Sequence, residues 1–313
     1  MDIKNVTVAG AGVLGSQIAF QTAYMGFDVT VWVRSEASIE RAVPKFDRLE
    51  GIYEATLEAM KTDPKAYCRG LAASPDVSAE EIDKLKDQAR AARQSIKFTT
   101  DYAEAAANAD LVIEAIAEDP QQKISLYTEL AKYLPEKTIL VTNSSTLLPS
   151  TFAEHTGRPD RYLALHFANE IWRNNTAEVM GHPGTSPEAY QEVVEFAQAI
   201  RMIPLQLKKE QPGYILNSLL VPFLNAAQGL LANGVADPET IDKTWMLGTG
   251  APFGPFRILD VVGLTTAYNI VVLDPRAKDP ETTQGKIAAL LKEKIDAGKT
   301  GVNAGEGFYK YGK

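Results

Sequence analysis

The feature that most constrains this chain is a glycine-rich turn that directly follows a short apolar segment. Residues Asn5 to Ala9 (NVTVA) predict a buried strand, and Gly10 to Gly15 (GAGVLG) follows it at once. A helix is predicted next, through Tyr24. The GxGxxG spacing between a strand and a helix is typical of dinucleotide-binding βαβ units. We therefore predict that this part of the chain is a parallel α/β unit that binds a nucleotide.

Each position of the turn has a physical task in this prediction. Gly10 permits the tight turn, Gly12 lets a diphosphate approach the backbone, and Gly15 lets helix and strand pack closely. The backbone amides of Val13 and Leu14, in the first helical turn, are then expected to meet the phosphate charge. The alternative is a glycine-rich turn that holds no ligand.

The end of the second predicted strand, Phe27 to Val33, bears on the choice of nucleotide. NAD-binding folds place an acid there, which takes the ribose hydroxyls. This chain instead continues from Val33 with Arg34 and Ser35. A guanidinium can hold a 2′-phosphate through paired hydrogen bonds, so we predict that the site at Arg34 and Ser35 favours NADP(H) over NAD(H). The alternative is that Arg34 is a solvated surface residue and Glu36 takes the ribose.

Strands and helices alternate through the first two thirds of the chain, with a charged helical insertion at about residues 38–93. This pattern predicts a doubly wound parallel Rossmann-type sheet with helices on both faces, over residues 1–208. No convincing strand follows, so residues 209–313 are predicted to form a second, all-helical domain. Such a domain often supplies a dimer face, and we expect a homodimer through it.

Composition excludes several classes of partner. The net charge of the 313 residues is −8 and no basic patch is present, which argues against nucleic acid and anionic membranes. The single cysteine, Cys68, and a start without a signal peptide suit a reducing cytoplasm. The longest apolar run, residues 215–231, is broken by polar side chains and predicts a buried helix. We predict a small-molecule substrate and no metal centre.

Residues 163–180 (LALHFANEIWRNNTAEVM) contain the strongest candidates for catalysis. His166 follows an apolar run that predicts a strand, and Glu178 lies twelve positions later. A histidine and a glutamate in a polar cleft can act as a general base and the group that orients it. The alternative is a hydrogen-bonded core histidine without a chemical role. Asn169 and Arg173 lie between the two residues.

Three further candidates come from a strand end and from the helical part of the chain. Asn143 and Ser145 follow the predicted strand 138–142, and ligands of doubly wound sheets bind at such strand ends. The alternative for Ser145 is a helix cap. Asn217 interrupts the apolar run of the next predicted helix, where an amide either caps a neighbour or faces the cleft.

Taken together, these segments resemble the L-3-hydroxyacyl-CoA dehydrogenases, and still more closely their bacterial diketoreductase branch. The resemblance covers essentially the whole chain. The segments that carry it are 10–15 (GAGVLG), 112–116 (VIEAI) with Glu118 and Lys123, 142–146 (TNSST), 165–169 (LHFAN), 212–217 (PGYILN), 254–256 (GPF) and 306–309 (EGFY).

The resemblance implies a role for each matching residue. His166 would be the catalytic base and Glu178 its partner, with Ser145 and Asn217 on either side of the reacting oxygen. The nicotinamide end of the cofactor would be lined by Glu118, Lys123 and Asn169. The implied reaction transfers a hydride between a nicotinamide cofactor and C3 of a 3-hydroxyacyl or 3-oxoacyl compound.

Four departures from the family pattern narrow the expectation. The ribose acid is absent, and the family's apolar stretch after the histidine becomes Glu170 to Asn175, with Arg173 as its only cation. The helix that meets coenzyme A in the family carries acids here, and Asn303 replaces a family lysine. We therefore expect NADP(H) and a small free acid or ester whose carboxylate Arg173 could bind. The alternatives are an NADH-dependent 3-hydroxybutyryl-CoA dehydrogenase and a non-catalytic dinucleotide sensor.

Overall fold

The computed structural model describes residues 2–311, which form two compact units. The first runs up to Ile215 and contains all the strands of the sheet, and the second runs from Leu216. The predicted fold class, a doubly wound Rossmann-type sheet with a helical second domain, is confirmed.

The first unit is built on one eight-stranded sheet with the order β3-β2-β1-β4-β5-β6-β7-β8. Strands β1 to β6 are all parallel, β6 and β7 are antiparallel, and β8 is again parallel to β7. The strands are β1 (Asn5–Ala9), β2 (Asp28–Trp32), β3 (Lys97–Thr99), β4 (Leu111–Glu114), β5 (Ile139–Thr142), β6 (Tyr162–Phe167), β7 (Thr176–Met180) and β8 (Ile203–Leu207).

Helices cover the sheet because its central strands are apolar on both faces. Every residue of β4, β5 and β6 is buried, as parallel strands between helical layers require. The insertion between β2 and β3 is mainly one long and one shorter helix. The helices of this unit are α1 (Val13–Tyr24), α2 (Glu36–Met60), α3 (Ala79–Ser95), α4 (Tyr102–Ala106), α5 (Pro120–Leu130) and α6 (Pro187–Ala199).

Strand β7 differs from the sequence prediction, which had no strand between residues 166 and 202. Its sequence, TAEVM, is short and has an acid in its centre, so no alternation of polar and apolar residues marks it. It forms because it pairs along its length with both β6 and β8. This pairing reverses the sheet direction at the strand that carries Glu178.

The second unit is helical within the described residues, apart from two isolated bridges near its end. Its core contains Phe256, Leu259 and Leu291, all buried. The buried Asp260 accepts hydrogen bonds from the backbone amides of Phe308 and Tyr309 and so ties the final segment to the helices. The helices are α7 (Leu216–Ala232), α8 (Pro238–Thr249), α9 (Pro255–Val262), α10 (Leu264–Val271) and α11 (Thr283–Asp296).

Across residues 2–311, none of the helices combines the length and the apolar character that a membrane span needs.

Candidate active site

The glycine-rich turn has the geometry that its sequence predicts. Gly10 has a φ of +112°, and a Cβ there would lie 2.5 Å from the Ala115 carbonyl oxygen of the neighbouring strand end. A Cβ on Gly15 would lie 2.3 Å from the Gly10 carbonyl oxygen, so only glycine lets α1 start this close to β1. By contrast, a Cβ on Gly12 would meet nothing within 4 Å. The turn is therefore tight on its protein side and open where a diphosphate would approach.

A cavity of about 1130 Å³ lies over this turn at the carboxyl ends of the strands. It extends from Arg34 and Arg41 at one end to Asn143, Ser145 and Asn169 at the other. Ligand cavities range from roughly 300 to 1,000 Å³, so this one has room for a dinucleotide. The turn contributes to its wall through Gly10, Gly12, Val13, Leu14 and Gly15.

The wall beyond β2 is cationic. Arg34 and Arg41 both line the cavity, together with Ser38. Arg41 Nη2 donates to Ser38 Oγ at 2.8 Å, and Ser35 Oγ lies 2.9 Å from Ser38 Oγ. Neither guanidinium has a carboxylate partner within residues 2–311, so both are available to an anion. Sequence reasoning found Arg34 and Ser35 but missed Ser38 and Arg41, whose signal was their spacing of three positions at the start of α2.

The other end of the cavity leads to the histidine and glutamate. His166 on β6 and Glu178 on β7 are directly opposite each other in the antiparallel register. Their side chains meet with His166 Nδ1 3.0 Å from Glu178 Oε2, and both residues are buried. A carboxylate at Nδ1 fixes a proton on that nitrogen and leaves Nε2 for proton transfer. Nε2 lies 3.2 Å from Ser145 Oγ.

Ser145 is held in place by Glu118. Oε1 of Glu118 accepts hydrogen bonds from the amides of Ser145 and Thr146 and from the hydroxyls of Ser144 and Thr146. Burial alone raises the pKa of Glu118, but these hydrogen bonds and the charge of Lys123 outweigh it and lower the pKa. Glu118 is therefore an anion that organises the 144–146 turn as well as lining the cavity.

Beneath Glu118 lies a buried ion pair that sequence reasoning missed in part. Lys123 is 1% exposed and donates to Glu114, which is fully buried, over 2.7 Å. The same carboxylate accepts hydrogen bonds from the Ile116 amide and from the hydroxyls of Tyr127 and Thr142. Lys123 also lies 3.3 Å from a Glu118 carboxylate oxygen. An acid at the end of the otherwise apolar strand β4 was the available signal.

Tyr214 is a further residue whose role sequence reasoning missed. Its ring stacks on the His166 imidazole, with centroids 4.4 Å apart and planes 16° apart. Its hydroxyl donates to the Ser144 carbonyl oxygen at 2.7 Å. The preceding Gly213 was the available signal, since it marks a turn that can direct a large side chain inwards.

Four predicted site residues remain, and they differ in their exposure and their contacts. Asn143 Oδ1 accepts from the Phe167 amide and so joins the ends of β5 and β6. Asn169 is exposed and lines the cavity. Arg173 is exposed, and its Nε lies 3.9 Å from a Glu170 carboxylate oxygen. Asn217 is in the first turn of α7, in the second unit.

Comparison with known proteins gives matches along nearly the whole chain. The family model for the NAD binding domain of 3-hydroxyacyl-CoA dehydrogenase matches residues 5–211, and the model for its C-terminal domain matches residues 213–311. The human mitochondrial hydroxyacyl-coenzyme A dehydrogenase is 33% identical over 309 residues, which cover 99% of this chain and 91% of the human protein.

A bacterial sequence and a solved structure give two further matches. A probable 3-hydroxybutyryl-CoA dehydrogenase of Deinococcus radiodurans is 32% identical, over 97% of this chain and 99% of that protein. A solved structure of a diketoreductase, described as a dual catalyst of dicarbonyl compounds, is 51% identical with a TM-score of 0.86. That match covers 99% of this chain and 100% of the diketoreductase chain.

Proposed function

Since the chain belongs to the 3-hydroxyacyl-CoA dehydrogenase family, we propose that it is an NADP(H)-dependent oxidoreductase acting on a small 3-oxo or 3-hydroxy acid or ester. The family accounts for a hydroxyacyl dehydrogenase reaction on a CH–OH group. The observation that carries the rest is a cavity lined by the Arg34 and Arg41 guanidinium groups at one end and by Ser145 at the other. Cytoplasmic location and a homodimer through the helical unit stay predictions from the sequence.

The chain's own groups perform the proton transfer of this reaction. When the cofactor is bound, its nicotinamide supplies or takes up the hydride at C3 of the substrate. In oxidation, Nε2 of His166 accepts the proton of the C3 hydroxyl, and the Glu178 carboxylate stabilises the imidazolium charge. In reduction, the protonated Nε2 returns the proton to the ketone oxygen. Ser145, beside Nε2, stabilises negative charge on that oxygen. The role that the family resemblance implies for Asn217 stays a prediction from the sequence.

The residues around the adenosine end support NADP(H). Arg34 and Arg41 line the cavity, whereas Glu36, the alternative ribose ligand, does not. The Glu36 carboxylate instead accepts a hydrogen bond from the Thr100 hydroxyl at 3.2 Å. A 2′-phosphate between two guanidinium groups makes charge-assisted hydrogen bonds, which are roughly twice as strong as neutral ones.

The cofactor proposal is tested by changing the end of β2 and its following residue. We expect wild type to bind NADPH more tightly than NADH. In the double variant Val33→Asp with Arg34→Ile, the ratio of the NADH dissociation constant to the NADPH dissociation constant should fall. One lost hydrogen bond to a charged group, at about 1.5–3 kcal/mol, corresponds to roughly a 10- to 100-fold change. Titration of cofactor fluorescence measures both constants without turnover. The control is Arg48→Ile, which removes an exposed arginine of α2 outside the cavity. Tighter binding of NADH by wild type would contradict the proposal.

The surface of the insertion supports a substrate without coenzyme A. Helix α2 contains six acids and three bases in its 25 residues. Its acids pair with bases of α3: Arg93 Nε lies 2.7 Å from Asp47, and Arg90 Nε lies within hydrogen-bond distance of Glu54. These α3 cations are therefore occupied by carboxylates. An acidic, internally paired helix offers little attraction to the phosphates of coenzyme A.

Arg173 is the proposed contact for a substrate carboxylate. It is 57% exposed, and its pair with Glu170, also 58% exposed, is long at 3.9 Å, so the cost of breaking that pair is small. We expect Arg173→Ala to raise KM for free 3-oxo acids by roughly tenfold, about the worth of one charge-assisted hydrogen bond, with kcat little changed. Steady-state rates with an acid and its ethyl ester measure the effect, because the ester lacks the carboxylate.

Glu170→Gln is the matched control for Arg173→Ala, since it breaks the same pair but keeps the cation. Its KM for acids should be equal to or below that of wild type. Identical acid and ester kinetics in wild type and Arg173→Ala would reject the contact.

A CoA-thioester dehydrogenase using NADH is the second candidate, because the Deinococcus relative is a probable 3-hydroxybutyryl-CoA dehydrogenase. Initial rates with NADH and NADPH across acetoacetate, ethyl acetoacetate and acetoacetyl-CoA separate the two. Our proposal predicts the highest kcat/KM with NADPH and the acid or ester. A clear preference for NADH and the thioester would favour the second candidate, and no turnover with any pair would favour a non-catalytic sensor.

A further inference from the structure

We infer that Tyr214 is a positioning residue that holds His166 and Ser145 in register for proton transfer. Its ring lies against the imidazole, and its hydroxyl is bonded to the backbone of the residue before Ser145. The next amide along the chain, that of Ile215, donates to Glu178 Oε1 at 2.9 Å. Two adjacent residues, Tyr214 and Ile215, therefore contact His166, Glu178 and the turn that carries Ser145.

The backbone at Tyr214 is in a conformation that packing must maintain. Tyr214 has a φ of +54° and follows Gly213 with a φ of +78°. A bulky residue in the left-handed region is strained and persists only when its surroundings hold it there. Tyr214 is 1% exposed, and its side chain makes the stack and the hydrogen bond from this backbone conformation.

The hydroxyl works together with Glu118 on the turn that carries Ser145. Glu118 binds the amides of Ser145 and Thr146, while Tyr214 binds the Ser144 carbonyl oxygen. Burial raises the pKa of the Tyr214 phenol far above its ordinary value, so the group stays a donor. Loss of this donor frees one side of the turn. The consequence should be a longer and more variable distance from Ser145 Oγ to His166 Nε2, which is 3.2 Å with the donor in place.

The test is a double-mutant cycle on kcat with Tyr214→Phe and Ser145→Ala. Tyr214→Phe keeps the stacked ring and should lower kcat about three- to tenfold, the worth of one buried hydrogen bond. Ser145→Ala alone should lower kcat by roughly 10²- to 10³-fold, as loss of an oxyanion donor does, which leaves a measurable rate. In the Ser145→Ala background, Tyr214→Phe should then change kcat by less than about twofold, because the turn no longer carries the group that it positions.

The matched control is Tyr24→Phe, which also removes a buried tyrosine hydroxyl bonded to a backbone carbonyl, that of Leu71 at 3.0 Å. It should leave kcat unchanged in both backgrounds. Cofactor dissociation constants should be unchanged by Tyr214→Phe. An equal loss of kcat with and without Ser145, or no loss at all, would overturn the inference. The result does not depend on which cofactor or substrate is preferred, since it requires only the family reaction and can use whichever pair turns over.

Discussion

Replacement of His166 by glutamine is expected to lower kcat by about three orders of magnitude or more while leaving cofactor affinity near that of wild type. Glutamine fills similar space but cannot exchange a proton at the position of Nε2. The cavity wall around the glycine-rich turn does not include His166, so binding of the dinucleotide should be preserved. Single-turnover rates and a cofactor titration on the same preparation measure the two quantities.

His155→Gln is the control for this experiment, because His155 is exposed and has no contact with the candidate site. It should retain wild-type kcat and wild-type affinity. Near-normal turnover in His166→Gln would show that His166 is a hydrogen-bonded core residue and would remove the basis of the proposed proton transfer.

Replacement of Lys123 by methionine is expected to destabilise the first unit by about 3–5 kcal/mol, because it leaves the buried charge of Glu114 without its partner. Both side chains are almost fully removed from water, at 1% and 0% exposed. Methionine has nearly the volume of lysine, so the loss reports the charge and not a cavity. The free energy of unfolding in urea, measured without cofactor, gives the value directly.

Two variants control for this interpretation. Lys132→Met removes a lysine that is 55% exposed and paired with Glu129, and it should change stability by less than about 1 kcal/mol. Lys123→Met combined with Glu114→Gln should recover part of the loss, since no buried charge remains. If Lys123→Met were as stable as wild type, the ion pair would not contribute to the free energy of unfolding, and the prediction would be wrong.

The sequence by itself determined the fold class and the position of the glycine-rich turn between β1 and α1. The GxGxxG turn could be recognised from its neighbours in the chain, because its strand, turn and helix are contiguous and Gly15 packs on the Gly10 carbonyl oxygen, whereas the close approach of Ala115 to Gly10 is a contact of the folded sheet. The same holds for the missing acid after β2, where Arg34 stands directly at the strand end. His166 could also be found, since an apolar run leads straight into it.

Other features depended on contacts between distant segments. Strand β7 has no alternating pattern, and it is a strand because β6 and β8 pair with it on both sides. The antiparallel register sets His166 opposite Glu178, so resemblance could suggest this partnership but periodicity could not. Pairing energy, in place of local propensity, decides such a strand.

The tertiary structure alone decided which groups surround the proposed catalytic pair and the neighbouring strand ends. Glu114 at the end of β4 meets Lys123 of α5 in the folded chain. Because both side chains are buried, each charge needs the other as its partner. Tyr214 stacks on His166, which lies 48 positions earlier in the chain, while its own backbone is in the left-handed conformation. Local sequence fixes conformations whose contacts lie within a few residues, whereas stacking and buried ion pairs acquire their energy only when the folded chain excludes water from both partners.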